Sequence, residues 1–154
     1  MPDRGCVMAS PEERNLIAPC GIYCGGCPLY QARTDAVLRR RIAEKSGVPE
    51  DKLALCEGCR PLKGREPAIG GEICSTYACA TNDKKVEFCY QCSDFPCLKL
   101  APCADRAQEL SHNTKIYNLL LIKRDGVDSF IRNYRGRIGQ YFRGKKPKPG
   151  GEIQ

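Results

Sequence analysis

Ten of the twelve cysteines in this 154-residue chain come in short-range groups. Cys20, Cys24 and Cys27 lie in "CGIYCGGC", Cys56 and Cys59 in "CEGC", Cys74 and Cys79 in "CSTYAC", and Cys89, Cys92 and Cys97 in "CYQCSDFPC". Two residues between cysteines let a tight turn aim both sulfurs at one point, where backbone N–H groups of the turn can hydrogen-bond the thiolates. Zinc takes four such ligands at about 2.3 Å in a tetrahedron, and two turns brought together from distant parts of a chain supply them. Gly26 and Gly58 precede the second cysteine of their pairs and relieve crowding there. One such pair would say little. Three pairs with two intervening residues, and two with four, point to bound metal. The competing reading is a set of buried thiols with one redox pair.

Four-cysteine ligation suits both zinc and iron–sulfur clusters. The run Cys20, Cys24, Cys27 has the spacing of the cluster loop of radical S-adenosylmethionine enzymes. Those enzymes place that loop on a large α/β barrel, and this chain has neither the length nor the βα alternation for one. The run also fits a simpler [4Fe–4S] protein. The pairs 56/59 and 89/92 look more like zinc knuckles. Zn2+, in about two or more sites, is therefore the expected metal, with [4Fe–4S] clusters as the alternative.

The elements that must position these sulfurs have little else to stand on. There is no Trp and only 4 Phe, so the conventional apolar core is modest for a domain of this size. The opening "MPDRGCVMASPEERNL" has no secretory apolar stretch, and nowhere are there about 18 consecutive apolar residues. A reducing cytoplasm and no membrane span are expected, which sets the thiols aside from disulfide formation. The formal net charge of +7 invites a polyanionic partner. Two four-thiolate sites each holding a dication would lower it to roughly +3 and weaken that case.

The expected fold is a small, metal-stapled α+β domain. It would combine irregular cysteine-rich loops, short strands and about four to five helices, with a C-terminal helix pair as the main apolar core. Residues 1–18 read as a flexible arm, 19–142 as one cysteine-rich domain whose part 104–142 is helical, and 143–154 as a basic, flexible tail. The stretch "CPLYQARTDAVLRRRIAEKSGVP" reads as one helix, with Cys27 at the N-cap, Pro28 at its first position and Gly47 at its stop. Tyr30, Val37, Leu38 and Ile42 would give it an apolar side. The dipole at its start would favour a thiolate at Cys27. "PEDKLALCEGC" reads as a short helical turn, "VEFCYQC" as a short strand with Val86 and Phe88 on one buried face, and "PCADRAQEL" as a helix. "NTKIYNLLLIKR" reads as a buried helix capped near Asn113 and broken by "DG" at 125–126. A second helix carries Val127, Phe130, Ile131, Tyr134, Ile138, Tyr141 and Phe142 at helical spacing.

The stretches "APCGIYCGGCPLYQA", "CEGCR", "EFCYQCSDFPC" and "HNTKIYNLLLIKRDGVDSF" resemble an uncharacterised family of small cysteine-rich proteins from bacteria and archaea, domain of unknown function 3795, whose members are suspected of binding zinc. The resemblance covers about residues 18–132. It implies a ligand pool of Cys20, Cys24, Cys27, Cys56, Cys59, Cys74, Cys79, Cys89, Cys92 and Cys97, and no activity. Cys6 lies outside it. Ten ligands do not divide by four: two sites leave two sulfurs spare, and three sites need Cys103 and another donor such as His112, the only histidine. A lone histidine is more often structural, and spacing alone does not pair the ligands.

Three roles compete. In a metal-stapled interaction module, zinc would fix loops around a weak core and present a surface to a partner. A protein partner is expected. Nucleic acid has weaker support, from Arg39, Arg40 and Arg41 on the first helix and Arg143, Lys145 and Lys146 in the tail, which read equally as a solvated face and a solubilising tail. An enzyme or electron carrier is the second role. A zinc held by Cys20, Cys24 and Cys27 with an open position lacks a convincing general base, since His112 is remote and Asp94 reads as a turn cap. "GREPAIGGE" has no phosphate-loop Lys-Ser/Thr. Metal or cluster delivery is the third, with the surplus cysteines as a transfer site.

Overall fold

The computed structural model describes residues 8–65, 67, 71–100 and 114–139. Six α-helices carry these residues: α1 Pro11–Asn15, α2 Pro28–Gln31, α3 Ala36–Ser46, α4 Ser75–Ala78, α5 Lys115–Asp125 and α6 Val127–Gly139. Short 3-10 turns join them, at Cys24–Gly26, Glu50–Lys52, Cys89–Gln91 and Leu98–Leu100, and a wider π-type turn at Cys79–Asp83 follows α4 directly. The described fold is small and mostly helical. Its β-structure amounts to two isolated antiparallel bridges, Ile17–Tyr23 and Arg65–Ile73.

The strand expected at Val86–Phe88 is not formed. The amides flanking it are turned elsewhere: Lys84 N donates to Cys79 O (2.8 Å), Val86 N to Ala80 O (2.9 Å) and Cys89 N to Pro19 O (2.8 Å). A ladder has nothing left to pair with. Phe88 is buried all the same, so the alternating pattern marked burial correctly and pairing wrongly.

The helix expected from Pro28 to Ser46 is two helices. Pro28 stands at the first position with Cys27 as N-cap, but α2 stops at Gln31. Asp35 then caps α3, its carboxylate accepting from Leu38 N at 2.9 Å. An aspartate offers the backbone this alternative partner and so starts a helix better than it continues one. Arg39 folds back to donate to Ala32 O (2.8 Å) and Arg33 O (2.7 Å) beyond the end of α2. A four-residue helix has little dipole to favour a thiolate at Cys27. The expected apolar side is also displaced, for Val37 is 69% exposed and Ala43 is the buried residue of α3. Gly47 ends α3 with φ +70°, as expected.

Residues 8–18, expected to belong to a loose arm, are built in. Ser10 and Glu13 form a reciprocal capping box on α1. Asp128 at the start of α6 accepts from Ala9 N (2.9 Å) and from the Arg14 guanidinium (2.9 Å). Ile17 then enters the core.

The C-terminal pair supplies that core as expected. Leu119, Leu121 and Ile122 of α5 and Phe130 and Ile131 of α6 pack with Ile17, Phe88 and Leu100. Gly126, with φ +81°, separates the two helices. Helix α5 is amphipathic rather than apolar all round, since Leu120 is half exposed. Its N-cap is Thr114. Asn113, the helix expected at 102–110 and the tail 143–154 lie outside the described residues. Among the described residues no helix is long and apolar enough to cross a membrane.

Candidate metal centre

Helix α5 seats the first cysteine loop. Gly21, between Cys20 and Cys24, lies flat against it: a Cβ there would meet Lys115 O at 2.8 Å and Leu119 Cγ at 2.9 Å. Gly21 also has φ +88°, so only glycine meets both demands. Asn118, fully buried, donates Nδ2 to Gly21 O at 2.7 Å. The loop then enters the Cys24–Gly26 turn, which packs against α6, and Cys27 N donates to Cys24 O at 2.9 Å.

The "CEGC" turn docks on this loop. Cys56 N donates to Leu29 O (3.3 Å), and Gly58 N points at Cys56 Sγ (3.4 Å), the amide-to-sulfur contact that a tight cysteine turn provides. Gly58 has φ +102°, and a Cβ built there would meet Cys24 Cβ only at an ordinary 3.6 Å, so its role is backbone conformation rather than relief of crowding. Cys24, Cys27 and Cys56 thereby become electrostatic neighbours. Gly64 N donates to Cys59 O (2.8 Å), and Cys74 N donates to Gly64 O (2.9 Å).

Arg60, which follows Cys59, is the residue that sequence reasoning missed. Its Nε donates to Ile17 O (2.7 Å), its Nη2 donates to Glu87 O (2.8 Å), and the guanidinium stacks 5.0 Å above the Phe88 ring. One planar fork therefore ties the lead-in to the first loop, the "CEGC" turn and the lead-in to "CYQCSDFPC". Its place in "CEGCR" was the available signal.

Four further cysteines line a cavity of about 30 Å3. Cys79 comes from the π-type turn, Cys89 and Cys92 from the 3-10 turn beside α5, and Cys97 from the segment after it. Asp94 N approaches Cys92 Sγ at 3.5 Å, a second amide-to-sulfur contact. Lys84 and Lys99 also line the cavity, and Lys84 Nζ pairs with Asp94 Oδ2 at 2.7 Å. Cys20 has Cys24, Cys74 and Cys89 as electrostatic neighbours.

Burial dominates the acid–base behaviour of these thiols. It pushes Cys20 up to about 11, with Lys115 opposing. It pushes Cys27 up to about 11, against the Tyr30 and Leu29 amides, and Cys89 up to about 12, with Cys20 and Cys97 adding to the rise. Bare thiolates are disfavoured at these places, so ionisation there calls for a nearby cation.

Ten cysteines are free thiols, and among the described residues no three His, Cys, Asp or Glu side chains are gathered closely enough to hold a metal ion. The donor set nonetheless fits a thiophilic dication: sulfur lines the cavity, and its volume exceeds what one water needs, about 10–15 Å3. Coordination would require the side chains to rotate inward. Cys6, Cys103, His112, Arg143, Lys145 and Lys146 lie outside the described residues. Of the arginine run, Arg39 is engaged by the backbone and Arg40 lies 3.8 Å from Glu50, leaving Arg41 exposed.

No curated protein and no solved structure matches this chain. A family model described as "Protein of unknown function (DUF3795)" matches residues 16–102, more than half of the sequence, from the bridge before the first cysteine loop to just past the last cavity cysteine. The match stops short of α5 and α6, the helices on which those loops rest. The chain belongs to the DUF3795 family.

Proposed function

We propose that this protein is a metal-binding module in which cysteine thiolates hold structural zinc, and that the loops so fixed present a surface to a protein partner. The observation that carries this reading is the cavity ringed by Cys79, Cys89, Cys92 and Cys97. The amide-to-sulfur contacts at Cys56 and Cys92 support it, because the turns of a cysteine-ligated site direct backbone amides at the sulfurs in this way. Zinc would act as a cross-link between turns that share little apolar surface.

Elemental analysis of the full chain, purified without oxygen, tests the reading. It predicts zinc at about two ions per chain, from four ligands per site. Iron and sulfide with a brown colour would replace zinc by a cluster and make electron transfer or cluster delivery the role. Absence of both metals from anaerobic protein would overturn the reading.

A further inference from the structure

Resting on that metal-binding reading, we propose that Cys79, Cys89, Cys92 and Cys97 form a self-contained metal centre, separate from the one built around Cys24, Cys27 and Cys56, and that this second centre is the exchangeable one. All four of its cysteines come from residues 79–97 and line one cavity. Local hydrogen bonds shape that segment: Lys84 N to Cys79 O (2.8 Å), Cys92 N to Cys89 O (3.1 Å) and Phe95 N to Cys92 O (3.1 Å). The site needs no residue from the first loop to close.

Charge agrees with this assignment. Four thiolates around a dication carry a net charge of about −2. The charged side chains lining the cavity are Lys84 and Lys99, both cationic, and Lys84 lies near Cys92 and Cys79. The adjacent carboxylate, Asp94, is drawn onto Lys84 rather than into the cavity. With sulfur donors and no carboxylate in its lining, the cavity suits zinc, cadmium or cobalt over magnesium or calcium.

Exchangeability follows from burial. The four cavity cysteines are partly exposed, whereas Cys24 and Cys56 are each only 5% exposed and Cys24 belongs to the core cluster. Withdrawing an ion from around Cys24 means opening the core beneath α6. Withdrawing one from the cavity means opening half-exposed turns at the margin of the core, where Cys89 and Cys97 only flank the buried cluster.

Native mass spectrometry of the zinc-loaded full chain, paired with zinc release to a chromogenic chelator, tests the proposal. The wild type should carry two ions and lose them in a fast and a slow phase. Cys89→Ser/Cys97→Ser should carry one ion and lack the fast phase. Lys84→Met keeps every sulfur, so it also serves if the double variant misfolds: its fast phase should accelerate several-fold and its slow phase should not change. A double variant that carries both ions or none, or a Lys84→Met protein whose fast phase is unchanged, would overturn the division into two centres while leaving metal binding intact. A wild type that takes up no zinc would overturn the metal reading itself, and this proposal with it.

Discussion

Individual side chains explain why the cysteines are poised rather than merely numerous. Burial holds the Cys20 and Cys27 thiols up near 11 and Cys89 near 12, above an ordinary thiol. In the metal-free chain the fold therefore favours their neutral form. That stabilisation is complete below about pH 9 and is lost as pH rises toward 11–12. Thermal melts of metal-free protein should fall in Tm across that window. The metal-loaded protein should behave oppositely on the acid side, losing stability as pH falls and protons displace the ion. Melting curves of both forms between pH 5 and 11 check the pair of trends. Arg60 is the second local determinant. Arg60→Lys keeps the charge but cannot reach Ile17 O and Glu87 O with one planar fork. A loss of about 1–2 kcal/mol in denaturant unfolding is expected.

Among the elements, the junction of the first cysteine loop with α5 governs assembly. Gly21→Ala would drive a Cβ into Lys115 O and Leu119 Cγ at a residue whose φ is +88°. Its cost should exceed about 2 kcal/mol by chemical denaturation. Gly47→Ala shares the positive φ but meets nothing within 4 Å, and should cost about 1 kcal/mol. The sequence made some of these elements readable. Periodic apolar residues revealed α5 and α6, and the "DG" between them marked their break, because both signals are local. Asp35 was an equally local cap signal, hidden inside a run of good helix formers. The "VEF" strand failed because strand formation needs a partner, and no local pattern shows that Cys89 N is taken by Pro19 O. The anchoring of α1 was hidden for the same reason, since Asp128 lies more than a hundred residues from Ala9.

For the molecule as a whole, the main apolar cluster of the described residues is built on α5, α6 and the segments packed upon them. Among the described residues, segments 53–65 and 79–97 carry only Cys56, Ala80 and Phe88 as buried apolar side chains. Spacing alone sorted ten cysteines into short-range groups. It did not show which of them neighbour one another, since that depends on where α5 and α6 hold the loops: Cys27 has Cys24 and Cys56 beside it, and Cys79, Cys89, Cys92 and Cys97 line one cavity. If bound metal holds these loops in place, its removal should cost far more than a surface ligand would. The decisive measurement is thermal unfolding of the full chain under anaerobic conditions, followed by circular dichroism, before and after stripping with a strong chelator. The account predicts that the stripped protein loses its cooperative transition and regains it when zinc is restored. An unchanged Tm and an unchanged helical signal after complete metal removal would contradict it.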